Sequence, residues 1–438
     1  MKKLFAVLLA LGLIMAVSAP ASAVDVKVSG SYFLAGAYDD NPSLAENAYS
    51  RAYFYQRLRV EPVFQIAEGL TFTARFDAME KQWGNIDWNG TDDQTNSQKI
   101  NNAVGNPKIQ ESLEMERGYV TFNTGIGQFS VGYMEAGTFG TVFSDSVTTR
   151  PRIKYVTKAG PLTLIAIYEK RVEAQKNVVL ATDKKTDADY DAYYLAPLYF
   201  FKGGQTGILY GYLNNASNRP AANVRTQLHL FEPYVKATFG SVYVEAEVDY
   251  VTGKNAKFET PAVAADVDRS GWAAYLKAQT DMGPATIGAQ FGWSQGDDPT
   301  TLDKNEAGLG GGYDWNPALI LMAYDMTFWS NGGDVNSNAG TYTKNNMWLW
   351  NIFANYKVTP KFSVGAALTY MKADKVAAGW DKDMGTEFDV TATYKLYDNL
   401  TYMVGAGYLW TGDFYKSGVA AAKIDNDYVL INKLTLNF

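Results

Sequence analysis

Three stretches within residues 386–438 alternate with a period of two, and that confines them to β-strands with one apolar face. Phe388, Val390, Ala392, Tyr394 and Leu396 are apolar, while Glu387, Asp389, Thr391, Thr393 and Lys395 between them are polar. This is a strand with one greasy and one wet face. After the Tyr397-Asp398-Asn399 turn, Leu400, Tyr402, Val404, Ala406, Tyr408 and Trp410 alternate with the small or polar Thr401, Gly405 and Gly407, which predicts an antiparallel hairpin. A last strand places Tyr428, Leu430, Leu434, Leu436 and Phe438 on one face, with Asn432 as the exception. Alternation alone would also suit a soluble sandwich. The flanks decide: Tyr or Trp stands near the ends of each apolar face, as at a bilayer interface, and connections alternate between short and long.

With its closing aromatic Phe438, this pattern resembles the Gram-negative outer-membrane porins, whether general or substrate-selective. Leu436 stands where many members carry Tyr. The resemblance implies an all-β transmembrane barrel in the outer membrane, a terminal Phe438 read by the barrel-assembly machinery, and a homotrimer.

The chain's start fits export. Lys2 and Lys3 precede an apolar run over residues 4–17, and Ala21-Ser22-Ala23 offers a small-x-small cleavage step before Val24, so residues 1–23 read as a signal peptide. That run is shorter than the roughly twenty residues a spanning helix needs. The chain has no Cys, which removes disulfides, thiolate metal sites and Cys nucleophiles together. Its formal net charge of −7 becomes more negative once the two leader lysines are gone, which argues against nucleic acid as a partner.

The second strand sets the register. With Phe54, Leu58 and Val60 towards lipid, Tyr53, Tyr55, Arg57, Arg59 and Glu61 face the interior, and a slip by one would put both arginines into hydrocarbon at roughly 2–4 kcal/mol each near the midplane. The third strand likewise turns Arg75 and Asp77 inward. In the fourth, Glu114 and Glu116 claim one parity while Arg117 and Tyr119 claim the other, the signature of a bulge. Arg150, Arg152 and Lys154 share one face of the sixth strand, and Glu245, Glu247 and Asp249 share the inner face of another. Long polar segments at about 81–112, 135–149, 172–189, 252–269 and 295–346 read as outer loops. Counting residues 318–328 as a strand gives an odd total, which a barrel with both termini at one end does not allow. That apolar piece therefore belongs to the last loop, folded over or into the mouth. About eighteen strands remain over residues 24–438, with sixteen or twenty as the neighbouring even counts.

Candidate chemistry is sparse. His229 is the only histidine, and a lone histidine in a strand reads as a wall residue rather than a general base. Asp183, Asp187, Asp189 and Asp191 cluster as a Ca²⁺ site would but lack the Asp-x-Asp-x-Asp-Gly order, so they read as a solvated loop. Tyr53, Tyr55, Tyr193 and Tyr243 would either form a sugar slide or simply stiffen the wall. The informative set is Arg57, Arg59, Arg75, Arg152 and Lys154 facing the carboxylates Glu61, Asp77, Glu245, Glu247 and Asp249, which together would set a transverse field across a wet lumen. By resemblance, the loop after the fifth strand, with Gly137, Thr138, Phe139 and Gly140, occupies the place of the porin constriction, although the Pro-Glu-Phe-Gly-Gly motif is absent. The expectation is a passive pore for small hydrophilic solutes, bounded by outer-membrane lipid, with no catalytic residue, metal or cofactor. The competing expectation is a sleeve or adhesin that holds a partner protein.

Overall fold

The computed structural model describes residues 24–47, 49–83, 113–174, 188–219, 224–259, 265–312, 314–322 and 345–438. The signal-peptide expectation at residues 1–23, most of the 81–112 loop, Asp183, Asp187 and residues 323–328 fall outside them. The wall consists of β1 (Asp25–Asp39), β2 (Arg51–Ala67), β3 (Leu70–Gln82), β4 (Leu113–Thr124), β5 (Gly127–Ala136), β6 (Thr148–Ala159), β7 (Leu162–Val172), β8 (Tyr190–Phe201), β9 (Gly204–Asn215), β10 (Val224–Phe239), β11 (Val242–Phe258), β12 (Val267–Met282), β13 (Ala285–Ser294), β15 (Met347–Thr359), β16 (Phe362–Ala373), β17 (Asp383–Tyr397), β18 (Leu400–Thr411) and β19 (Asp427–Asn437). The two-residue β14 (Lys304–Asn305) lies outside the wall, pairing parallel with β12 while β13 pairs directly with β15. Eighteen antiparallel wall strands remain, and β1 closes on β19 from Ser31↔Asn437 to Asp39↔Val429.

Closure follows from the solvent. In hydrocarbon every backbone amide and carbonyl needs a partner, and only a ladder without edges supplies one throughout. At one end neighbouring strands are joined by two-residue turns such as Gly160-Pro161, Gly240-Ser241 and Asp398-Asn399; at the other the connections are long. The 259–266 connection is shorter than the 252–269 loop expected from its polarity. β11 and β12 continue as a paired hairpin there, held by Lys254 to Asp268 at 2.5 Å and to Asp266 at 3.6 Å.

Alternation fixes the two faces. Leu430, Val404, Phe388, Ile352 and Leu276 are exposed outward, in the band that lipid covers. Aromatic side chains ring this band at both ends: Tyr250 on Trp272 at 4.1 Å, Trp293 on Trp348 at 5.4 Å and Tyr408 on Trp410 at 4.9 Å at the loop end, and Phe129 on Tyr155 at 4.9 Å at the turn end. Tyr193 belongs to the loop-end ring, against Tyr168 at 5.4 Å and Tyr212 at 6.3 Å. This corrects its expected inward placement: on β8 the inner parity is taken by Ala192, Tyr194 and Ala196.

The seam between β1 and β19 depends on one small residue. Gly30 and Phe438 exchange backbone hydrogen bonds of 2.8 and 3.0 Å, and a Cβ on Gly30 would stand 2.5 Å from both the Phe438 ring and the Arg59 carbonyl oxygen. Gly30→Val is therefore expected to lower stability by about 1–3 kcal/mol through overpacking. Adding Phe438→Ala should restore only part of the loss, because the clash with the Arg59 carbonyl remains. The folded fraction after refolding into detergent, read from heat-modifiable electrophoretic mobility, checks both; full additivity of the two changes would place the strain elsewhere.

Candidate functional site

The inner face of β2–β7 is a ladder of cations cross-linked by a few carboxylates. Register places Arg59 opposite Asp77, and the pair is bidentate, at 2.7 and 2.5 Å. Arg57 stands 3.9 Å from Asp77, with its guanidinium 5.2 Å from the Phe33 ring. Arg75 binds Glu61 at 2.6 Å. The bulge expected in β4 is present: the β3–β4 register shifts between Arg75↔Arg117 and Phe76↔Met115, so Glu116 is the extra residue and Glu114 and Arg117 share the inner face. Arg117, absent from the expected lining, is buried there, 2.7 Å from Glu135 and 3.8 Å from Glu61. On β6 and β7, Arg152 and Arg171 both pair with the fully buried Glu169, at 2.6 and 2.5 Å, and Arg171 also donates to the Tyr190 and Tyr194 hydroxyls.

The expected acidic wall plays another part. The connection after β5, residues 137–147, turns inward and crosses to β10–β12. There the Thr141 amide and the Ser144 hydroxyl donate to the Glu247 carboxylate. Phe139 packs edge-on against Tyr234 at 5.1 Å, and Phe143, fully buried, stacks on Tyr275 at 5.3 Å. Glu247 and Asp249 face inward as expected, but at 1% and 0% exposure they do not line water. The crossing loop covers Glu247. Glu245 is also buried, accepting from Tyr243 at 2.7 Å.

A second segment completes the obstruction. Residues 314–322 enter the barrel from the connection between β13 and β15. The Glu387 carboxylate accepts from the backbone amides of Leu319, Ile320 and Leu321, each at 2.7 Å. Gly405 and Gly407 on β18 leave room for the Leu319 side chain. Trp315 packs on Phe143 at 5.0 Å and donates to Gln290 at 3.0 Å, so the two inward segments touch. Around them Met322, Met347, Leu349, Met371, Met384, Leu409 and Val429 form an apolar core inside the barrel. The expectation of a wet interior thus fails at the loop end of β12–β19, where inner positions are apolar too, while Lys277, Gln290, Asn351, Asp389 and Thr391 line a recess beside the docked segment. The side chains of Arg57, Arg59 and Arg75 keep 14–23% exposure, so open lumen borders the cationic side.

The remaining candidates fall away from the lumen. His229 faces outward in the aromatic ring, its Nδ1 2.9 Å from the Tyr210 hydroxyl. Asp189 and Asp191 are held by Lys170, and among the described residues there is no cluster of acidic or histidine side chains able to hold a metal ion.

A family profile described as Gram-negative porin matches residues 10–375. Among solved structures, Pseudomonas aeruginosa OccK2 (OpdF) in complex with glucuronate is similar at 10% identity and TM-score 0.54, covering 94% of this chain and 98% of that one. Pseudomonas aeruginosa OpdK with vanillate is similar at 11% identity and TM-score 0.51, covering 94% and 99%. A BenF-like porin from Pseudomonas fluorescens Pf-5 is similar at 11% identity and TM-score 0.50, with the same coverage. No curated protein sequence matches.

Two predictions concern the inward segments. Glu387→Ala orphans the buried Ile320 and Leu321 amides at about 1–3 kcal/mol each and leaves the Leu319 amide only the longer bond to Asp389 at 3.4 Å. The 314–322 segment should then leave its seat and single-channel conductance should rise with strand content unchanged; an unaltered conductance would mean the segment is held by its apolar contacts alone. In the crossing loop, Asp145 accepts from the Phe139 amide at 2.9 Å. Burial pushes its carboxyl up to about 7, against that hydrogen bond and with help from the Glu247 charge. A carboxyl raised above its unfolded value of about 3.9 favours the folded state at low pH, so its contribution is lost as pH rises from about 4 through 7. Intrinsic-rate-corrected hydrogen exchange at residues 139–146 should be faster at pH 8 than at pH 5, and Asp145→Asn should flatten the difference.

Proposed function

The chain belongs to the Gram-negative porins, and from that premise we propose that it favours small solutes bearing a carboxylate. It is a channel of the outer membrane through which small solutes diffuse, rather than an enzyme. One observation carries the solute preference: on the β2–β7 side Arg57, Arg59, Arg75, Arg117, Arg150, Arg152, Lys154 and Arg171 stand against only Glu61, Asp77, Glu114, Glu135 and Glu169, which leaves an excess of fixed positive charge beside the open side. Such an excess raises the local concentration of anions, and the planar guanidinium fork matches a carboxylate. Two chains of this fold were crystallised with glucuronate and vanillate, both carboxylates, and the same chemistry is extended here on the strength of this chain's own arginines. The inward segments fill one side of the bore, which speaks against a sleeve around a folded partner.

Export by cleavage before Val24 is supported by the residue pattern alone. Recognition of Phe438 during assembly and a trimeric state rest on family resemblance.

Replacing Arg57, Arg59 and Arg75 together by Ser removes three cations, releases Asp77 from its pairs and leaves Glu61 with Arg117 alone. The reversal potential in a salt gradient should therefore move towards cation selectivity. The shift should be largest at about 0.01 M, where the Debye length is about 30 Å, and small at 1 M, where it is about 3 Å. A reversal potential unmoved at low salt would remove the selectivity assignment and leave the channel itself standing.

A further inference from the structure

The crossing loop leaves a cavity of about 330 Å³ between itself and β6–β10. Building on the channel function above, we propose that this cavity is a binding site for small zwitterions of the amino-acid class, with the carboxylate at Arg150 and Lys154 and the ammonium at Glu232. The argument rests on which of its charges are already neutralised. Arg152 and Arg171, on the same wall, are both committed to Glu169. Glu135, at the loop's base, is committed to Arg117. Arg150 and Lys154 also line the cavity, yet among the described residues no carboxylate lies within ion-pair distance of either, and the Arg150 Nε is buried without a hydrogen-bond partner. Two buried or half-buried cations thus point to an anionic group that the chain does not provide.

The opposite wall has the complementary deficit. Glu232 lines the cavity from β10 with no cation in ion-pair distance among the described residues. The β10–β11 register, with Phe231↔Tyr250 and Tyr234↔Glu247, sets Glu232 directly across from Asp249. Both Asp249 carboxylate oxygens are buried without a hydrogen-bond partner. Like charges at a directly opposed cross-strand pair destabilise a sheet, and in a dry setting the cost grows. An ammonium at Glu232 would relieve both. A simple anion entering the cavity gains at Arg150 and Lys154 but is repelled by Glu232; a simple cation meets the reverse. A solute carrying both charges satisfies both walls. The Thr138 and Ser144 side chains of the loop also line the space, and its volume suits a small molecule.

The test is isothermal titration calorimetry on the full-length protein folded in detergent, with L-alanine, propionate and ethylammonium as a matched set. Alanine should bind at least about tenfold more tightly than either single-charge analogue, since each lost charge-assisted contact is worth about a factor of ten or more. Glu232→Gln should abolish that advantage over propionate, and Arg150→Gln with Lys154→Gln should abolish it over ethylammonium. If one variant fails to fold, the other carries the test on its own wall. Propionate or ethylammonium binding wild type as well as alanine does, or no binding by alanine, overturns the proposal. So does an alanine preference that survives in the folded variants. Planar-bilayer conductance of the same preparation is the separate readout: its absence would overturn the channel function, whereas conductance without alanine binding overturns only this site.

Discussion

Everything in this barrel depends on the requirement that a backbone in hydrocarbon satisfy its own hydrogen bonds. In a porin barrel the strands cross the membrane, and strands succeed only when the ladder closes. The β1–β19 pairing provides that closure. It in turn dictates an even number of wall strands and banishes residues 314–322 from the wall to the interior. The obstruction of the lumen is thus a secondary result of the membrane's demand on the backbone.

What could be read in the chain is what periodicity encodes. The outward faces of β17–β19, the inward arginines of β2 and the bulge in β4 all follow from alternation and from its one local failure at Glu114–Arg117. Contacts that no period reports could not be read. Glu247 looks like one of three lumenal acids on β11, and nothing near it in sequence signals that its carboxylate is reserved for Thr141 and Ser144, a hundred residues away. Tyr193 lies outside although its residue type suits the lumen and the interface equally well, so its side follows only from the parity of its neighbours. Met347, Leu349, Met371 and Leu409 sit at inner positions of strands whose outer faces are also apolar, and the weak alternation there signalled a dry interior that composition alone made look wet.

Charge and apolarity are sorted around the bore. The cations collect on β2–β7, where carboxylates cross-link them without neutralising them, and the apolar inner residues collect at the loop end of β12–β19, where the 314–322 segment docks. The carboxylates Glu247 on β11 and Glu387 on β17 serve a common purpose: Glu247 accepts one backbone amide and a hydroxyl, and Glu387 accepts three amides, each from a segment that has left the regular ladder. A loop placed inside a barrel has orphan amides, and a carboxylate with several lone pairs absorbs them at once.

The seat of the 314–322 segment is built largely from methionine: Met322 belongs to the segment, while Met347, Met371 and Met384 belong to the wall. Thioether side chains are unbranched and conform to whatever touches them. A socket of this kind grips by adapting its shape, and it can reshape around a displaced occupant without leaving a rigid void. It also carries a chemical vulnerability, since oxidation to the sulfoxide would turn those contacts polar and loosen the grip. The same side chains that make the segment fit are buried while it is seated, so oxidants would reach them only once it leaves.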